Sequence, residues 1–313
     1  MDVLVMCPSK VATGGVESLH KFAYELNKID GMNVKMWYVG ERVNPQPAEY
    51  ACYNMDYVTS FPKDYRDVII VPEIWANNIT DGFYRNCIVA VDWAGVDVYY
   101  WNNEVRVQGQ FLKRRDAFHL SQMQYAVDHL TGLGVNPDKI LRISDVLHED
   151  FYAKYKERER NNVILYNPVK VTDYQKAVMN KARDEGLMFK PIENMTRKQV
   201  IQTLRQAKLY LDLGVFSGRE RIPREAAMCG CCVITSRTGA AAYYEDVSII
   251  DKYRFDTDSN NILNIIKTMK YILNNYDACK SEFDTYRQSV IHDRDILHSQ
   301  CETVAKAFLG VRR

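Results

Sequence analysis

Short apolar runs alternate with amphipathic stretches from one end of this chain to the other. The first run is Val3–Cys7. Apolar residues then recur at helical spacing, at Leu19, Phe22, Ala23 and Leu26. This alternation predicts parallel strands connected by helices, the α/β class. Five further strands are predicted in the first half, at residues 34–39, 68–72, 87–91, 117–120 and 139–143.

A second series of the same kind begins after the charged stretch at residues 154–162. Its predicted strands are 163–166, 187–191, 209–213 and 231–235, and its predicted helices are 174–185, 197–207, 223–228 and 261–273. Thr196 is a candidate N-cap. We therefore predict two Rossmann-like domains, residues 1–150 and 151–313, facing each other across a cleft at the carboxyl ends of their strands. We leave open that the last of the C-terminal helices packs back on the first domain.

The composition is that of a globular protein, with 47% hydrophobic and 26% charged residues. No apolar run approaches the roughly 18 residues that cross a bilayer, and the N-terminus lacks the features of a signal peptide. We expect a cytoplasmic protein and leave open a peripheral contact with the inner face of a membrane. The cysteines of the segment 228–232 lie in an apolar stretch, which indicates buried thiols rather than a zinc site.

Charge is distributed unevenly between the two halves. Residues 1–150 contain 14 lysines and arginines against 20 aspartates and glutamates, whereas residues 151–313 contain 27 against 20. A basic C-terminal half suits an anionic ligand such as a nucleotide diphosphate, although a chance excess of solvated lysines accounts for it equally well. No dense basic run indicates nucleic acid as the main partner.

The most informative segment is residues 209–235, in which a predicted strand, a glycine-containing loop, a helix and another strand follow one another. Pro223 suits the first turn of the helix, where its missing N–H is not needed. The free N–H groups at that helix start form an anion site, and three arginines cluster there, namely Arg219, Arg221 and Arg224. A solvated arginine-rich surface is the alternative interpretation.

This segment resembles the donor-site segment of family 4 glycosyltransferases, whose two-Rossmann-domain fold is called GT-B. Gly218 matches the family's loop glycine, Pro223 its second proline, and Glu225 with Ala226 its Glu-Ala pair. The pairs Cys229-Gly230 and Val233-Ile234 match the residues that follow. The resemblance implies that Glu225 holds the ribose hydroxyls of a nucleotide sugar and that the loop amides near Gly218 face its diphosphate or sugar.

The segment also departs from the family pattern. Ser217 stands where the family has the first glutamate of its Glu-x7-Glu pair, and Arg219-Glu220 stand where it has Phe-Gly. A serine can hydrogen-bond a sugar hydroxyl but cannot stabilise positive charge. Glu220 takes over that role only if the loop runs in a different register.

Two other places are similar to the same family. The turn Gly14-Gly15-Val16-Glu17 resembles its Gly-Gly-x-Glu turn, which implies that the amides of Gly14 and Gly15 meet the donor phosphate or the acceptor. The segment 166–170 resembles the loop that carries a phosphate-binding lysine, which implies that Lys170 stabilises the leaving nucleotide diphosphate. Taken alone, such a glycine pair occurs in many Rossmann-like domains, and such a lysine is commonly exposed.

The N-terminal half is expected to bring the acceptor. Asp92 and Asp97 follow a predicted buried strand, and Asp97 is our first candidate for the general base that activates an acceptor hydroxyl. Both carboxylates suit turns or helix caps equally well. His119 is interpreted as a packed histidine. The surrounding aromatic residues, such as Trp93 and Trp101, either stack on sugars or pack in the core.

These observations predict a glycosyltransferase that moves a sugar from a nucleotide-diphosphate sugar to a hydroxyl of a glycan or a lipid-linked acceptor. The family resemblance implies a retaining reaction in the synthesis of a surface polysaccharide or glycolipid. The candidate-site segments contain no Asp-x-Asp triplet of the kind that metal-dependent glycosyltransferases use, so no metal and no other cofactor is expected. The alternatives are a sugar-nucleotide epimerase and a catalytically inactive nucleotide-sugar-binding subunit, the latter suggested by Ser217.

Overall fold

The computed structural model describes residues 1–156 and 158–311, and these form twelve strands and nine α-helices. The strands are β1 Asp2–Pro8, β2 Asn33–Val39, β3 Tyr57–Val58, β4 Val68–Pro72, β5 Ile88–Trp93, β6 Phe118–Ser121, β7 Ile140–Arg142, β8 Asn161–Tyr166, β9 Met188–Pro191, β10 Ala207–Asp212, β11 Cys232–Ser236 and β12 Arg254–Phe255. The helices are α1 Gly14–Leu26, α2 Val96–Asn102, α3 Gln124–Gly132, α4 Asp173–Asp184, α5 Arg197–Gln206, α6 Arg221–Met228, α7 Ile262–Asn274, α8 Tyr276–Ser281 and α9 Asp284–Gly310.

The chain divides into two compact units. Unit 1 contains Met1–Val146 together with the chain from Asp293 onward, and unit 2 contains Leu147–His292. The second division falls inside α9, so this helix contributes to both units. In unit 1, the ring of Phe308 on α9 packs edge-on against Phe118 of β6, with 5.5 Å between the ring centres.

Unit 1 is built on a parallel sheet with strand order β3-β2-β1-β4-β5-β6-β7. The central strands are buried on both faces: every residue of β4 is buried, and Val3 of β1 pairs with Val34 on one side and Val68 on the other. Burial on both faces explains why these strands are continuous apolar runs without alternation. The chain reverses its direction of winding between β1 and β4, which is the switch point of this sheet.

Unit 2 has a smaller parallel sheet with order β9-β8-β10-β11-β12. Its first strand along the chain, β8, lies between β9 and β10, so the switch point of this sheet is between β8 and β10. In α/β sheets, ligands bind at such points, outside the carboxyl ends of the strands. The fold of unit 2 therefore predicts a ligand site at the loops that follow β8 and β10. The prediction of an α/β chain with two Rossmann-like sheets is confirmed.

Most helix and strand limits differ from the predicted ones by one or two residues. One difference concerns a candidate site, because Gly14 and Gly15 form the first turn of α1 and not a preceding loop. Thr196 is the N-cap of α5, as predicted. Its hydroxyl accepts the N–H of Gln199, and the Gln199 side chain accepts the N–H of Thr196, which completes a capping box.

The cysteine-rich segment after α6 is packed in the interior of unit 2. Cys229, Cys231 and Cys232 are buried free thiols, and burial raises the pKa of Cys231 to about 12. Nowhere in the described chain does a group of three or more histidine, cysteine or acidic residues lie close enough together to hold a metal ion.

None of the helices described here combines the length and the apolar character needed to cross a membrane.

Gly230 is required by the backbone and by its neighbours. It has φ of +90°, and a Cβ at this position would collide with the guanidinium of Arg160 and the hydroxyl of Tyr155. That guanidinium is itself buried and donates to the carbonyls of Leu204, Ala207 and Cys229. Arg160 thus binds the carbonyl groups at the C-terminal ends of α5 and α6 together.

Candidate functional site

The loops after β8 and β10 are in direct contact at the switch point of unit 2. Gly214 shows how close they are: a Cβ there would lie 2.9 Å from the carbonyl oxygen of Lys170 and 3.1 Å from the Asp212 carboxylate. Real Cβ atoms do not approach a backbone oxygen so closely, so this position accepts only glycine without a shift. The close approach brings the side chains of the two loops together.

Lys170, Glu220 and Ser217 form the centre of this site. The ammonium group of Lys170 is ion-paired with the carboxylate of Glu220, and Ser217 Oγ donates a hydrogen bond to Glu220 Oε1 at 3.3 Å. Lys170 retains about a third of its side-chain exposure, whereas Glu220 retains 14%. Glu220 is also the residue before α6, so the positive end of the helix lies beside the pair.

Asp212, at the end of β10, is part of the same site and was missed by the sequence analysis. It is 4% exposed. Its Oδ1 accepts the N–H of Gly214 at 3.1 Å, and its Oδ2 accepts the hydroxyl of Tyr210 at 3.2 Å. Burial raises the pKa of Asp212 to about 6, and Glu220 raises it as well, whereas Lys170 lowers it. The sequence feature that could have identified Asp212 is a carboxylate inside the otherwise apolar run at residues 209–213.

The loop arginines do not all face solution, contrary to the expected cationic cluster. Arg224 is 1% exposed, and it donates from Nη2 to the carbonyl of Arg219 at 2.6 Å and from Nε to the carbonyl of Glu220 at 3.2 Å. Arg219 is 8% exposed and donates from Nε to the carbonyl of Asp246 at 3.0 Å. Arg224 therefore holds the backbone of the loop in place from the interior of unit 2.

The remaining predicted residues of this segment lie around the same loop. Gly218 is buried, and its carbonyl accepts the N–H of Glu220 at 3.0 Å, which closes a tight turn. Glu225 lies one turn into α6 and is partly exposed. It is near enough to the buried Tyr210 to add to the rise in the pKa of that phenol, which is caused mainly by burial. Unit 2 thus brings together Lys170, Ser217, Gly218, Glu220 and Glu225 around one switch point.

In unit 1, the turn after β1 lies at the switch point of the larger sheet. A Cβ on Gly15 would have no atom within 4 Å, and Gly15 does not adopt a left-handed conformation. Neither packing nor backbone conformation within the protein therefore requires glycine at this position. Open space beside the first turn of a helix is suited to an anion or a hydroxyl group.

Acidic residues lie at the carboxyl ends of the neighbouring strands β4 and β5. Asp92 is 1% exposed and belongs to β5 itself, which corrects the expectation that it follows the strand at the sheet edge. Gln122 donates to both Asp92 oxygens, at 3.2 and 3.4 Å, and to Ser18 Oγ at 3.1 Å. Burial raises the pKa of Asp92 to about 7 and that of Glu73, directly after β4, to about 8.

Asp97 is placed differently from Asp92. It lies in the first turn of α2, is partly exposed, and accepts a hydrogen bond from Tyr125 at 3.4 Å.

His119 is confirmed as a packed histidine, because its Nδ1 accepts from the buried Trp93 at 3.0 Å and burial lowers its pKa to about 4. Trp101 is 64% exposed and contributes little to the core.

Comparison with solved structures shows the fold of the whole chain. A glycosyltransferase from Rickettsia africae is similar over 98% of both chains, with 14% identity and a TM-score of 0.67. Anabaena Alr3699/HepE, solved in complex with UDP, is similar over 99% of this chain and 100% of that chain, with 12% identity and a TM-score of 0.64. This chain has the GT-B fold.

The same fold is shared by enzymes of another kind. The UDP-GlcNAc 2-epimerase from Neisseria meningitidis, bound to UDP-GlcNAc, is similar over 99% of this chain and 100% of that chain, with 11% identity and a TM-score of 0.60. No family model matches the sequence, and no curated protein matches it either. At these identities the GT-B likeness establishes architecture, and chemistry has to be argued from the residues.

Proposed function

We propose that this chain is a glycosyltransferase that binds a nucleotide-diphosphate sugar in unit 2 and transfers the sugar to an acceptor hydroxyl. The observation that carries the proposal is the meeting of Lys170, Ser217 and Glu220 at the switch point between β8 and β10, beside the start of α6. A cation beside the start of a helix suits a diphosphate, and the neighbouring polar groups suit sugar hydroxyls.

In this proposal each residue has a separate task. Lys170 and the N–H groups at the start of α6 stabilise the charge that develops on the leaving nucleotide diphosphate. Ser217 and Glu220 hydrogen-bond hydroxyls of the donor sugar, and Glu225 binds the ribose diol. Arg219, which is tied to the Asp246 carbonyl through Nε, keeps the loop in place around Gly218.

Unit 1 is proposed to bring the acceptor. Asp97 is partly exposed and is our candidate for the base that accepts the proton of the acceptor hydroxyl. The N–H groups of Gly14 and Gly15, in the first turn of α1, are proposed to contact the acceptor or the donor phosphate. We further propose a reaction that retains the anomeric configuration and needs neither a metal ion nor another cofactor. The acceptor is proposed to be a glycan or lipid-linked hydroxyl used in surface polysaccharide or glycolipid synthesis.

We propose a UDP-sugar as the first donor to test, because HepE, which shares this fold, was solved with UDP and with UDP-glucose. Isothermal titration calorimetry with UDP-glucose, GDP-mannose and dTDP-glucose measures the choice of nucleotide directly. Failure of all three to bind would contradict the proposed site. Incubation with the binding nucleotide sugar and a pool of acceptors then separates transfer from epimerisation, since an epimerase changes the sugar nucleotide without an acceptor.

Glu225 provides a specific test of where the nucleotide lies. Glu225→Gln should weaken binding of the nucleotide by roughly 1.5 to 3 kcal/mol, because it removes a charge-assisted hydrogen bond to the ribose. The matched control is Glu185→Gln, directly after α4, whose exposed carboxylate pairs with Lys270 away from the switch point. Equal affinity in the two variants would exclude the ribose contact.

A further inference from the structure

The charges around Lys170 are arranged so that donor binding cannot leave them unchanged. Lys170 is paired with Glu220, and the buried Asp212 lies close enough to both to respond to their charges. One positive group thus faces two carboxyl groups. A diphosphate that binds Lys170 brings two further negative charges into the same small region, where low hydration strengthens every such interaction.

Of the two charged groups that act on the pKa of Asp212, Glu220 opposes an additional anion and Lys170 favours one. Tyr210 on the same strand donates to Asp212, and Glu225 on α6 acts on Tyr210. From α4, the neutral Gln175 accepts the N–H of Leu213 and adds no charge. When the diphosphate neutralises Lys170, Asp212 therefore loses the stabilisation that this cation gives it.

We propose that Glu220 is an exchangeable counter-ion of Lys170 that the donor diphosphate displaces, and that Asp212 takes up the proton which this exchange requires. The proposal rests on the proposed function, because it assumes a nucleotide-diphosphate sugar at Lys170. Glu220, once released, is free to reach the sugar together with Ser217. The proton comes from the solvent, so binding of the donor is coupled to pH.

Asp212 is the group that takes the proton, because its pKa is already close to neutral pH. Burial raises the pKa of this carboxyl to about 6. Loss of the Lys170 charge and arrival of the diphosphate both favour the neutral carboxyl, so the pKa of Asp212 rises further. Its two hydrogen bonds remain satisfiable, since a protonated carboxyl accepts the N–H of Gly214 and the Tyr210 hydroxyl can rotate to accept its proton.

Calorimetry of UDP-glucose binding tests this coupling. Titrations near pH 7 in phosphate and in Tris, which have different ionisation enthalpies, give the number of protons taken from the buffer. A nucleotide-diphosphate sugar has no phosphate proton that titrates near pH 7, so the uptake is assigned to the protein. We expect uptake of a large fraction of one proton and an affinity that falls about three- to tenfold between pH 6.5 and pH 8.

Two variants assign the proton to this network. Asp212→Asn, which preserves the shape and an acceptor for Gly214, should bind UDP-glucose with little proton uptake. Glu220→Gln removes the competitor at Lys170, so UDP, which lacks the sugar, should bind several-fold more tightly. The control is Asp184→Asn at the exposed end of α4, which should take up protons as the wild type does.

The outcomes distinguish this inference from the proposed function. Binding of UDP-glucose with no proton uptake and no pH dependence in the wild type would overturn the proton coupling while leaving the donor site intact. Proton uptake that persists unchanged in Asp212→Asn would overturn the role of that residue. Absence of binding for UDP-glucose, GDP-mannose and dTDP-glucose alike would overturn the proposed function and the inference with it.

Discussion

Two glycines of the candidate sites have opposite surroundings, and the contrast separates packing from ligand binding at the residue scale. Gly214 is enclosed by Lys170 and Asp212, so any larger residue has to displace one of them. Gly15 has open space where its Cβ would be. The first glycine is therefore explained by the packing of the protein itself, whereas packing does not require the second.

Gly15→Ala tests this interpretation. We expect a thermal midpoint that is unchanged or slightly higher, because alanine is the better helix residue, together with a marked loss of transfer activity caused by a methyl group in the ligand's space. The matched control is Gly132→Ala in α3, which is equally open. Activity of Gly15→Ala equal to that of Gly132→Ala would show that no ligand passes over this turn.

Lys170→Ala tests the stabilisation of the leaving group. The turnover number should fall by roughly 10²–10³-fold, as when one electrostatic stabiliser of a transition state is removed, with a smaller loss of donor affinity. Steady-state kinetics and calorimetry give the two quantities separately, and Lys181→Ala on the exposed side of α4 serves as control. Equal losses of turnover and affinity would argue for simple ground-state binding.

At the scale of elements, the start of α6 depends on contacts that are distant in sequence. The loop before this helix is held by the buried Arg224 through the carbonyls of Arg219 and Glu220. The start of α5, in contrast, is determined locally by the capping box of Thr196 and Gln199. The first kind of helix start is sensitive to changes in the surrounding structure, and the second to its own side chains.

Thr196→Ala should lower the stability of unit 2 by about 1 kcal/mol, because it removes the acceptor for an N–H of the first turn of α5. Donor affinity should change little, since α5 follows the outer strand β9 and not the switch-point strands. Urea denaturation measures the stability of this variant and of the control Gln202→Ala, a change at an exposed position within the same helix. A larger loss in the control than in Thr196→Ala would refute the importance of the cap.

At the scale of the whole molecule, buried carboxyl groups influence how stability depends on pH. The pKa of Asp92 is about 7 in the folded chain and near 3.8 when it is exposed. Between these values the folded state holds a proton that the unfolded state has lost. The free energy of unfolding therefore falls as pH rises from about 4 to about 7 through this group, and it levels off above the folded pKa.

Asp92→Asn removes this contribution while keeping an acceptor for Gln122. Relative to the wild type, the variant should gain stability as the pH is raised, by an amount on the order of 2 to 3 kcal/mol between pH 5 and pH 7.5. Thermal midpoints of both proteins across this range provide the measurement. A difference between the two proteins that stays constant with pH would show that Asp92 titrates normally in the folded chain.

The pattern of apolar residues determined the architecture. Strands such as β4 and β10 are buried on both faces, so they had to be continuous apolar runs, and amphipathic helices had to separate them. The same pattern placed Lys170 and the segment 217–225 after strands of one sheet. Parallel strands present their carboxyl ends at one edge, so the location of a candidate site was predictable from the sequence.

Only the tertiary structure decided which side chains meet there. The contact of Gly214 with the Lys170 backbone, the pairing of Lys170 with Glu220 and the inward direction of Arg224 join segments that are distant along the chain or have no regular period. The position of Asp212 in an apolar strand was visible in the sequence, but its raised pKa was not. The burial and charge of a site depend on every group packed around it. The linear sequence does not contain the distances between those groups.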